Sequence, residues 1–254
     1  MLVAVRRREI LATVKDKKTV RVSDLSDKFH VTEETIRRDL EKLESEGKLL
    51  RTHGGAMSLE GEQGDLPHVQ REIIHKKEKT EIGREAVKHI EENDIIFLDA
   101  SSTIQCVARY LPNIPLTVLT NSIPICVELA KHSNIRLICT GGTFMESSMS
   151  FVGPLTLKTI EQYHVKKSFF SCKGIHLDWG ISDSNELQAL VKSKIMERSE
   201  EKFLLFDHSK LEKKAFATIG KIADVDTMIV DSLADDALLK MYADQGVKVM
   251  KARR

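Results

Sequence analysis

The sequence has no long hydrophobic run, and this excludes whole classes of protein. Apolar stretches such as IIFL at 95–98 are far shorter than the roughly 20 residues that a membrane-spanning helix needs. The N-terminal stretch MLVAVRRREI has no apolar core of signal-peptide length. We therefore predict a cytoplasmic protein without a membrane segment.

The sequence also has few cysteines and a small net charge. The four cysteines are Cys106, Cys126, Cys139 and Cys172. They show no CxxC spacing and have no histidine at ligand distance, so we predict buried thiols with no disulfide or metal role. The formal net charge is only +1, which gives no sign of nucleic-acid binding by the chain as a whole. Any basic surface must be local.

Glycine-rich phosphate-binding motifs are missing too. The sequence contains neither G-x-G-x-x-G nor G-K-[ST], so it indicates neither a dinucleotide nor a nucleoside triphosphate, and we predict no cofactor. His164, His176 and His208 lack a mutual spacing that suggests a metal, and we predict no metal site.

The N-terminal region does contain a clear pattern of three helices. RRREILATVKDK at 6–17 has apolar residues at helical spacing, and DLSDKF follows a candidate N-cap, Ser23. Thr32 is a second candidate N-cap and predicts a third helix from about residue 33, which Gly47 ends. Helix, tight turn, helix at about 20–39 is a helix-turn-helix, whose second helix lies in the DNA major groove.

Arg37 and Arg38 stand together in the middle of this third, otherwise acidic helix. They lie off the apolar stripe of Ile36, Leu40 and Leu43, where their guanidinium groups can reach phosphate or guanine. In the alternative they are solvated residues that pair with neighbouring carboxylates. For an isolated arginine pair, the alternative is favoured.

The residues after the third helix shift this balance. KLLRTHGGAM at 48–57 predicts the two-stranded wing of a winged helix. The run VSDLSDKFHVTEETIRRDLEKLESEGKLLRTHGGA closely resembles the N-terminal signature of the DeoR family of bacterial transcription regulators, through TIRRDL and R-x-HGGA. The resemblance implies a winged helix-turn-helix domain at 1–58. The predicted DNA-binding residues are Thr32, Glu33, Thr35, Ile36, Arg37, Arg38, Arg51 and His53.

The charge of this region limits how it can bind DNA. Residues 1–60 carry 13 Lys and Arg against 11 Asp and Glu, a net charge of +2. A monomer with few phosphate contacts binds weakly at physiological salt. We therefore expect self-association into dimers or tetramers that read repeated half-sites on operator DNA.

The remainder of the chain predicts a second, larger domain. Residues 59–69 are polar and glycine-rich and predict a linker, and a long helix is expected at 70–92. From residue 94 onward, short β-branched and aromatic runs alternate with helical patterns up to the end of the domain at 254. The pattern predicts an α/β fold of Rossmann-like type, with a mostly parallel sheet covered on both faces.

Polar loops follow five of the predicted strands. They are DASST at 99–103, TNS at 120–122, TGGT at 140–143, SCKG at 171–174 and DHSK at 207–210. Ligands of parallel sheets bind at the carboxyl ends of the strands, and hydroxyls at helix starts together with lysines suit a small anion. Helix capping alone also accounts for any single loop, and for TNS by itself it is the favoured interpretation. Together they favour a phosphorylated sugar.

The second domain also looks like the sensor domain of the DeoR family, which is similar in fold to ribose-5-phosphate isomerases. The family's D-A-G-T-T and D-x-S-K loops match Asp99–Thr103 and Asp207–Lys210, except that Ser101 replaces a glycine and Leu211-Glu212 replace Phe-Gly. Glu212 would add a negative charge beside the phosphate. The resemblance implies a phosphorylated sugar or related metabolite as effector, and most members are repressors.

The predicted effector-binding residues combine the loop pattern with this resemblance. They are Asp99, Ser101, Ser102, Thr103, Thr120, Asn121, Gly141, Gly142, Lys173, Glu186, Asp207 and Lys210. Whether Glu186 or Gln188 holds a sugar hydroxyl is left open.

Three functions compete for this chain. The leading one is a sugar-responsive transcription regulator, a repressor, that is not an enzyme. The rival is a sugar-phosphate isomerase with an appended DNA-binding domain, for which Asp99, Asp178, Asp183 and Glu186 supply carboxylates. An isomerase does not need the winged helix. A non-specific architectural DNA binder fails on charge.

Overall fold

The chain folds into two compact units, Met1–Gly64 and Asp65–Arg254. The computed structural model describes residues 2–17, 19–46, 48–52, 54–58 and 66–253. Most of the predicted linker, together with Gly47 and His53, lies outside the described residues. Among those that are described, no helix is both long and apolar enough to cross a membrane.

The first unit consists of three helices and a small antiparallel sheet. Its elements are α1 Val3–Lys17, β1 Thr19–Arg21, α2 Val22–Phe29, α3 Glu33–Ser45, β2 Leu50–Thr52 and β3 Gly55–Met57. The strand order is β1-β3-β2, so the predicted two-stranded wing has a third strand. Ile36, Leu40 and Leu43 of α3 are buried in its core, as their spacing predicted.

Two predicted helix starts have different outcomes. The Thr32 hydroxyl accepts a hydrogen bond from the Thr35 amide at 3.3 Å, so the predicted cap of α3 is confirmed. Ser23 does not cap α2, because the helix begins one residue earlier and Ser23 lies in its first turn. Its hydroxyl instead donates to the carboxylate of Asp24.

Gly55 is required by the close approach of two strands. A Cβ atom at this position would lie 1.8 Å from the backbone carbonyl oxygen of Val20. Gly54, its neighbour, has open space where its Cβ would lie. The GG pair therefore combines a permissive turn residue with a position at which no side chain fits.

The second unit is built on a seven-stranded parallel sheet, and this confirms the predicted α/β fold. The helices are α4 His68–Ile73, α5 Lys76–Ala86, α6 Ser102–Tyr110, α7 Ile123–Leu129, α8 Pro154–Glu161, α9 Glu186–Glu197 and α10 Asp236–Ala243. Short 3-10 turns lie at Val87–His89, Glu146–Ser148, His208–Lys210 and Ile222–Asp224. The sheet strands are β4 Ile95–Leu98, β5 Leu116–Thr120, β6 Ile135–Cys139, β9 Val165–Phe170, β12 Ser199–Phe206, β14 Thr227–Val230 and β15 Lys248–Lys251.

The order of this sheet is β15-β14-β12-β9-β4-β5-β6. Alternate residues of β4 pack into different hydrophobic clusters: Ile96 and Leu98 contact the cluster that contains α5 and α6, and Phe97 contacts the cluster that contains α8 and α9. The sheet is therefore covered on both faces, which explains its continuous apolar strands.

Short antiparallel strands decorate the parallel sheet and were not predicted. They are β7 Thr143–Met145 paired with β8 Ser150–Val152, and β10 Gly174–His176, β11 Gly180–Asp183 and β13 Ala217–Gly220 in the order β10-β11-β13. Strands of three or four residues are too short to show an apolar period, so the sequence gives no signal for them.

The prediction of a single long helix at 70–92 is wrong, because residues 74 and 75 interrupt it and separate α4 from α5. His75 has a positive φ of 52°, a backbone conformation that interrupts a right-handed helix. The buried Lys79 ammonium donates to the carbonyl oxygens of Arg71 at 2.5 Å and Ile74 at 2.8 Å. Lys79 thereby satisfies carbonyls at the end of α4 that have no partner within the helix.

The cysteine prediction is correct for two residues and wrong for two. Cys106 and Cys172 are free and buried. Cys126 and Cys139 form a disulfide. The β5-α7-β6 crossover returns the chain alongside itself, which brings Cys126 on α7 to the end of β6. This proximity comes from the crossover and is invisible in the spacing of the cysteines.

Candidate functional site

The order of the strands determines where a ligand can enter the second unit. From β4 the chain proceeds to β5 and β6 on one side, and then crosses to β9, β12, β14 and β15 on the other. The carboxyl ends of β4 and β9 therefore flank a point at which the connections diverge. In open parallel sheets this is the crevice that binds ligands.

A small cleft lies at this point. It is lined by Arg71, Ala100, Ser101, Ser148, Lys173, Asp183, Gln188 and Lys192. Of the predicted effector residues, Ser101 and Lys173 line it. Ala100, from the same predicted loop as Ser101, also lines it. The remaining lining residues come from α4, the β7–β8 connection, the end of β11 and α9, and the loop pattern did not identify them. Arg71 and Ser148 lie away from the ends of the predicted parallel strands, so the rule about strand ends does not identify them.

A buried ion network forms one wall of the cleft. The Lys192 ammonium bonds to the carboxylate of Asp183 and lies 3.5 Å from that of Asp99. Asp99 also accepts hydrogen bonds from the amides of Ser101 at 2.9 Å and Ser171 at 3.1 Å. Burial disfavours the charge of Lys192, but the two carboxylates outweigh it and raise the pKa of Lys192 above its usual value. The predicted ligand contact Asp99 is thus occupied within the protein.

A hydroxyl and amide cluster forms another wall. The Gln188 side-chain amide donates to the hydroxyls of Ser148 and Ser150, both at 2.9 Å. The two hydroxyls lie 2.8 Å from each other. Glu186, two residues earlier on α9, is exposed to solvent and is not in the cleft lining. Of the two residues, Gln188 lines the cleft and Glu186 does not, and contact of either with a sugar hydroxyl stays a prediction.

Ser101 lies where the resemblance leads one to expect glycine, without backbone strain. Its φ is −86°, and its hydroxyl accepts from the Ile104 amide at 3.2 Å, so it caps α6. Ser102 and Thr103 are buried in the first turn of that helix. Amides of a first turn have no acceptor within the helix, so a ligand at this helix start could use backbone donors. Neither Ser102 nor Thr103 is in the cleft lining, so their contact with a ligand stays a prediction.

Two polar side chains at the end of β5 make hydrogen bonds within the protein. The Thr120 hydroxyl donates to the Leu98 carbonyl at 2.6 Å, and the Asn121 amide donates to the Phe151 carbonyl at 2.9 Å. Strand β8 lies over this edge, as the bond from the Phe151 amide to the Asn121 carbonyl shows. Of the five predicted loops, those that follow β4 and β9 contribute residues to the cleft lining, and the other three do not.

Gly141 and Gly142 have structural reasons for being glycine. Both have positive φ, of 63° and 128°, which side chains rarely adopt. A Cβ atom at Gly142 would lie 2.0 Å from the Thr156 hydroxyl oxygen. Neither glycine is in the cleft lining, so their use by a ligand stays a prediction.

The D-x-S-K loop forms a second charged cluster at the end of β12. Lys210 lies 3.9 Å from the buried carboxylate of Asp207, and the Ser209 amide bonds to the same carboxylate at 3.1 Å. Burial opposes ionisation, but the charge of Lys210 and the side chains of His75 and Ser209 outweigh it and lower the pKa of Asp207 to about 2. Neither Asp207 nor Lys210 lines the cleft.

Glu212 turns its carboxylate away from the position that the resemblance suggested. It has a positive φ of 55°, in keeping with the glycine found there in the family. The buried Tyr242 hydroxyl donates to its carboxylate at 2.5 Å, and His176 lies 3.8 Å away. Since Glu212 is outside the cleft lining, the expected negative charge beside the ligand is absent from the described site.

The first unit presents an exposed arginine pair. Arg37 bonds to Glu33 at 2.5 Å and Arg38 bonds to Glu34 at 3.2 Å, which are the pairings of the alternative interpretation. The two arginine side chains remain 51% and 77% exposed. Exposed pairs of this kind contribute only about 0.3–0.5 kcal/mol, so a phosphate can replace either carboxylate.

The other predicted DNA contacts have different outcomes. The prediction that Ile36 contacts DNA is wrong, because its side chain is fully buried in the core of the first unit. His53 lies outside the described residues. Thr32, Glu33, Thr35 and Arg51 are at least partly exposed. Their contact with DNA stays a prediction.

Asp39, next to the arginine pair, has a structural role that the sequence did not suggest. Its carboxylate accepts from Arg6 at 2.6 Å and from Arg7 at 2.8 Å, and only 3% of its side chain is exposed. This ion cluster ties α1 to α3. The three consecutive charges at 37–39 therefore divide between two exposed residues and one buried residue.

Comparison with known proteins agrees with this architecture. Residues 6–62 match the model of the DeoR-like helix-turn-helix domain, and residues 74–232 match that of the DeoR C-terminal sensor domain. Ribose 5-phosphate isomerase A from Methanocaldococcus jannaschii is 18% identical over 55% of this chain and 56% of its own, with a TM-score of 0.41. At that score the likeness supports no inference about activity.

Curated relatives match over nearly the whole chain. An uncharacterized HTH-type transcriptional regulator of Bacillus subtilis, YulB, is 48% identical over 98% of this chain and 96% of its own. The L-fucose operon activator of Haemophilus influenzae is 38% identical, with coverage of 93% and 94%. The lactose phosphotransferase system repressor of Streptococcus mutans is 31% identical, with coverage of 93% and 95%. With both of its domains matched, this chain belongs to the DeoR family of DNA-binding transcription regulators.

Proposed function

We propose that this protein represses a sugar-metabolism operon and that a phosphorylated sugar, bound in the cleft between β4 and β9, modulates its affinity for operator DNA. The single observation that carries the proposal is the donor set of the cleft. Arg71 and Lys173 line it together with the start of α6 at Ser101. Cations and the amides of a helix N-terminus are the groups that bind phosphate.

The other side of the cleft suits the sugar rather than the phosphate. Gln188 and Ser148 offer amide and hydroxyl groups, which can exchange their mutual hydrogen bond for bonds to sugar hydroxyls. Asp183 offers carboxylate oxygens that Lys192 holds in place. A phosphate at Arg71 and Lys173 with hydroxyls toward α9 is the arrangement that we propose.

Melting of the full-length protein tests the effector. A ligand that binds only the folded state raises its stability by mass action. The panel consists of fructose 1-phosphate, rhamnulose 1-phosphate, glycerol 3-phosphate and deoxyribose 5-phosphate, each paired with its unphosphorylated parent. We expect one phosphorylated compound to raise the melting temperature and its parent not to. If no compound, or only a parent, has an effect, the proposed phosphate site is refuted.

Operator binding tests the arginine pair. DNA selected from a random pool by the purified protein serves as the probe. We expect Arg37→Ala and Arg38→Ala to abolish operator binding and to leave the effector-induced melting shift intact. Lys42→Ala is the matched control, since Lys42 is an exposed cation on the same helix, paired with Glu46 at 3.6 Å. Unchanged operator affinity in the arginine variants would refute their proposed role.

The mode of regulation and the assembly are also part of the proposal. Relatives include an activator and a repressor, so transcription from the selected operator with and without the protein decides the sign. We propose a dimer or tetramer, which light scattering in solution checks. We also propose that the protein is not an enzyme; turnover of ribose 5-phosphate by the full chain would contradict this.

A further inference from the structure

Arg71 connects the cleft to the segment through which the chain enters the second unit. Its guanidinium lines the cleft. The same group donates to the carbonyl oxygen of Leu66 at 3.0 Å and to that of Ser147 at 3.4 Å. Leu66 is the first residue of this unit that the structure describes. The Arg71 side chain thus lines the cleft and bonds both to the β7–β8 connection and to Leu66.

The cations of the cleft differ in how firmly they are held. Lys192 is committed to two carboxylates, Asp183 and Asp99. Within the described part of the chain, Arg71 has no carboxylate at ion-pair distance, and its recorded bonds run to neutral carbonyl oxygens. A guanidinium forms stronger, often bidentate, bonds with an anion than with a carbonyl. An anion in the cleft therefore competes well for Arg71.

Helix α4, which carries Arg71, is anchored independently of this side chain. Glu72 bonds to Arg109 of α6 at 2.7 Å. Lys79 holds the Arg71 and Ile74 carbonyls at the end of the helix. The buried His68 anchors the first residue of the helix. Loss of the bond from Arg71 to Leu66 would therefore leave α4 in place and release the approach to its N-terminal end.

We propose that Arg71 transmits effector binding to the chain that leads to the DNA-binding domain, because an anion in the cleft takes its guanidinium from the Leu66 carbonyl and releases the segment that begins at Leu66. This inference rests on the proposed function of the cleft as an anion site. It adds a residue and a direction of change: Arg71 holds the segment through the Leu66 carbonyl, and an anion bound in the cleft frees it.

Hydrogen–deuterium exchange of the full-length protein tests the mechanism, with inorganic phosphate as the probe and chloride at equal ionic strength as the reference. Two peptides report separately, one over 66–74 and one over 99–104. With saturating phosphate we expect slower exchange at 99–104, and about tenfold faster exchange at 66–74, the change that loss of one charge-assisted hydrogen bond gives.

Two variants complete the test. In Arg71→Gln we expect fast exchange at 66–74 with or without phosphate, because the segment is already released. Arg84→Gln is the matched control, since Arg84 is an exposed arginine on α5 that stacks on Tyr110 and is not in the cleft lining. It should respond to phosphate as the wild type does.

The outcomes separate this inference from the function on which it rests. If phosphate slows exchange at 99–104 but leaves 66–74 unchanged, the role of Arg71 is overturned and the anion site stands. If phosphate changes neither peptide, both are overturned. An Arg71→Gln protein in which phosphate still accelerates exchange at 66–74 also overturns the role of Arg71. The wild-type comparison needs no variant, so misfolding of Arg71→Gln cannot obscure the result.

Discussion

Asp39→Asn removes the negative charge that holds two arginines of α1 against α3. Arg6 and Asp39 are both nearly inaccessible, with side chains 8% and 3% exposed, whereas Arg7 is 30% exposed. Breaking a buried ion pair by removing one partner costs about 3–5 kcal/mol, because the other charge stays buried. Solvent screens Arg7, and asparagine still accepts one bond, so we expect the lower end, about 3 kcal/mol.

This loss is large for the first unit. A domain of some 60 residues has a stability of roughly 3–9 kcal/mol. A change of 1 kcal/mol shifts the melting temperature of a domain this small by about 4–8 °C, so the variant should melt at least about 12 °C lower.

The assay can separate the two units. The only tryptophan, Trp179, lies in the second unit and reports its unfolding by fluorescence. Far-UV circular dichroism also detects the helices of the first unit. We expect an early circular-dichroism transition in Asp39→Asn with an unchanged fluorescence transition. Glu41→Gln is the control, because it removes an exposed carboxylate from the same helix. If the two variants melt within about 2 °C of each other, the buried ion cluster contributes little and the reasoning is refuted.

Further predictions concern pH, backbone strain and packing. Burial lowers the pKa of His68 to about 4, so as the pH falls below 6.5 the unfolded state takes up a proton before the folded state does. The free energy of unfolding should therefore decrease between about pH 6.5 and pH 4. In urea titrations, His68→Gln should show a smaller decrease. Glu212→Gly and Glu212→Ala both lose the bond to Tyr242, but only glycine relieves the positive φ, so Glu212→Gly should be the more stable by about 1 kcal/mol; equal urea midpoints would argue against strain. Gly55→Ala should destabilise the first unit by about 2 kcal/mol or more and Gly54→Ala by little, as measured by circular dichroism, because only Gly55 faces a backbone oxygen at 1.8 Å.

Much of the fold was predictable because local patterns agree with the tertiary structure. The stripe of Ile36, Leu40 and Leu43 predicted both a helix and its buried face. Continuous apolar runs such as IIFL at 95–98 predicted strands buried on both faces. Where no period existed, as in the short strands at Thr143–Met145 and Gly180–Asp183, prediction failed.

The site was only partly predictable, since residues far apart in sequence assemble it. Ser101 and Lys173 follow strands, and a rule about strand ends identified them. Arg71 and Ser148 reach the cleft from a helix before the sheet and from an inserted hairpin. No sequence period places them there.

The helix-turn-helix, the alternation of strands and helices and the family resemblance could be predicted from local sequence, because each depends on contacts between near neighbours or on a contiguous motif. Which charged side chains are free to bind a ligand or DNA depends on the tertiary structure. Asp39 is buried in an ion pair with Arg6, and Asp99 is buried beside Lys192. Arg37 and Arg71 can instead exchange their present partners for others. The physical reason is that burial and pairing are set by what packs across the fold, and identical charged residues acquire opposite roles from it.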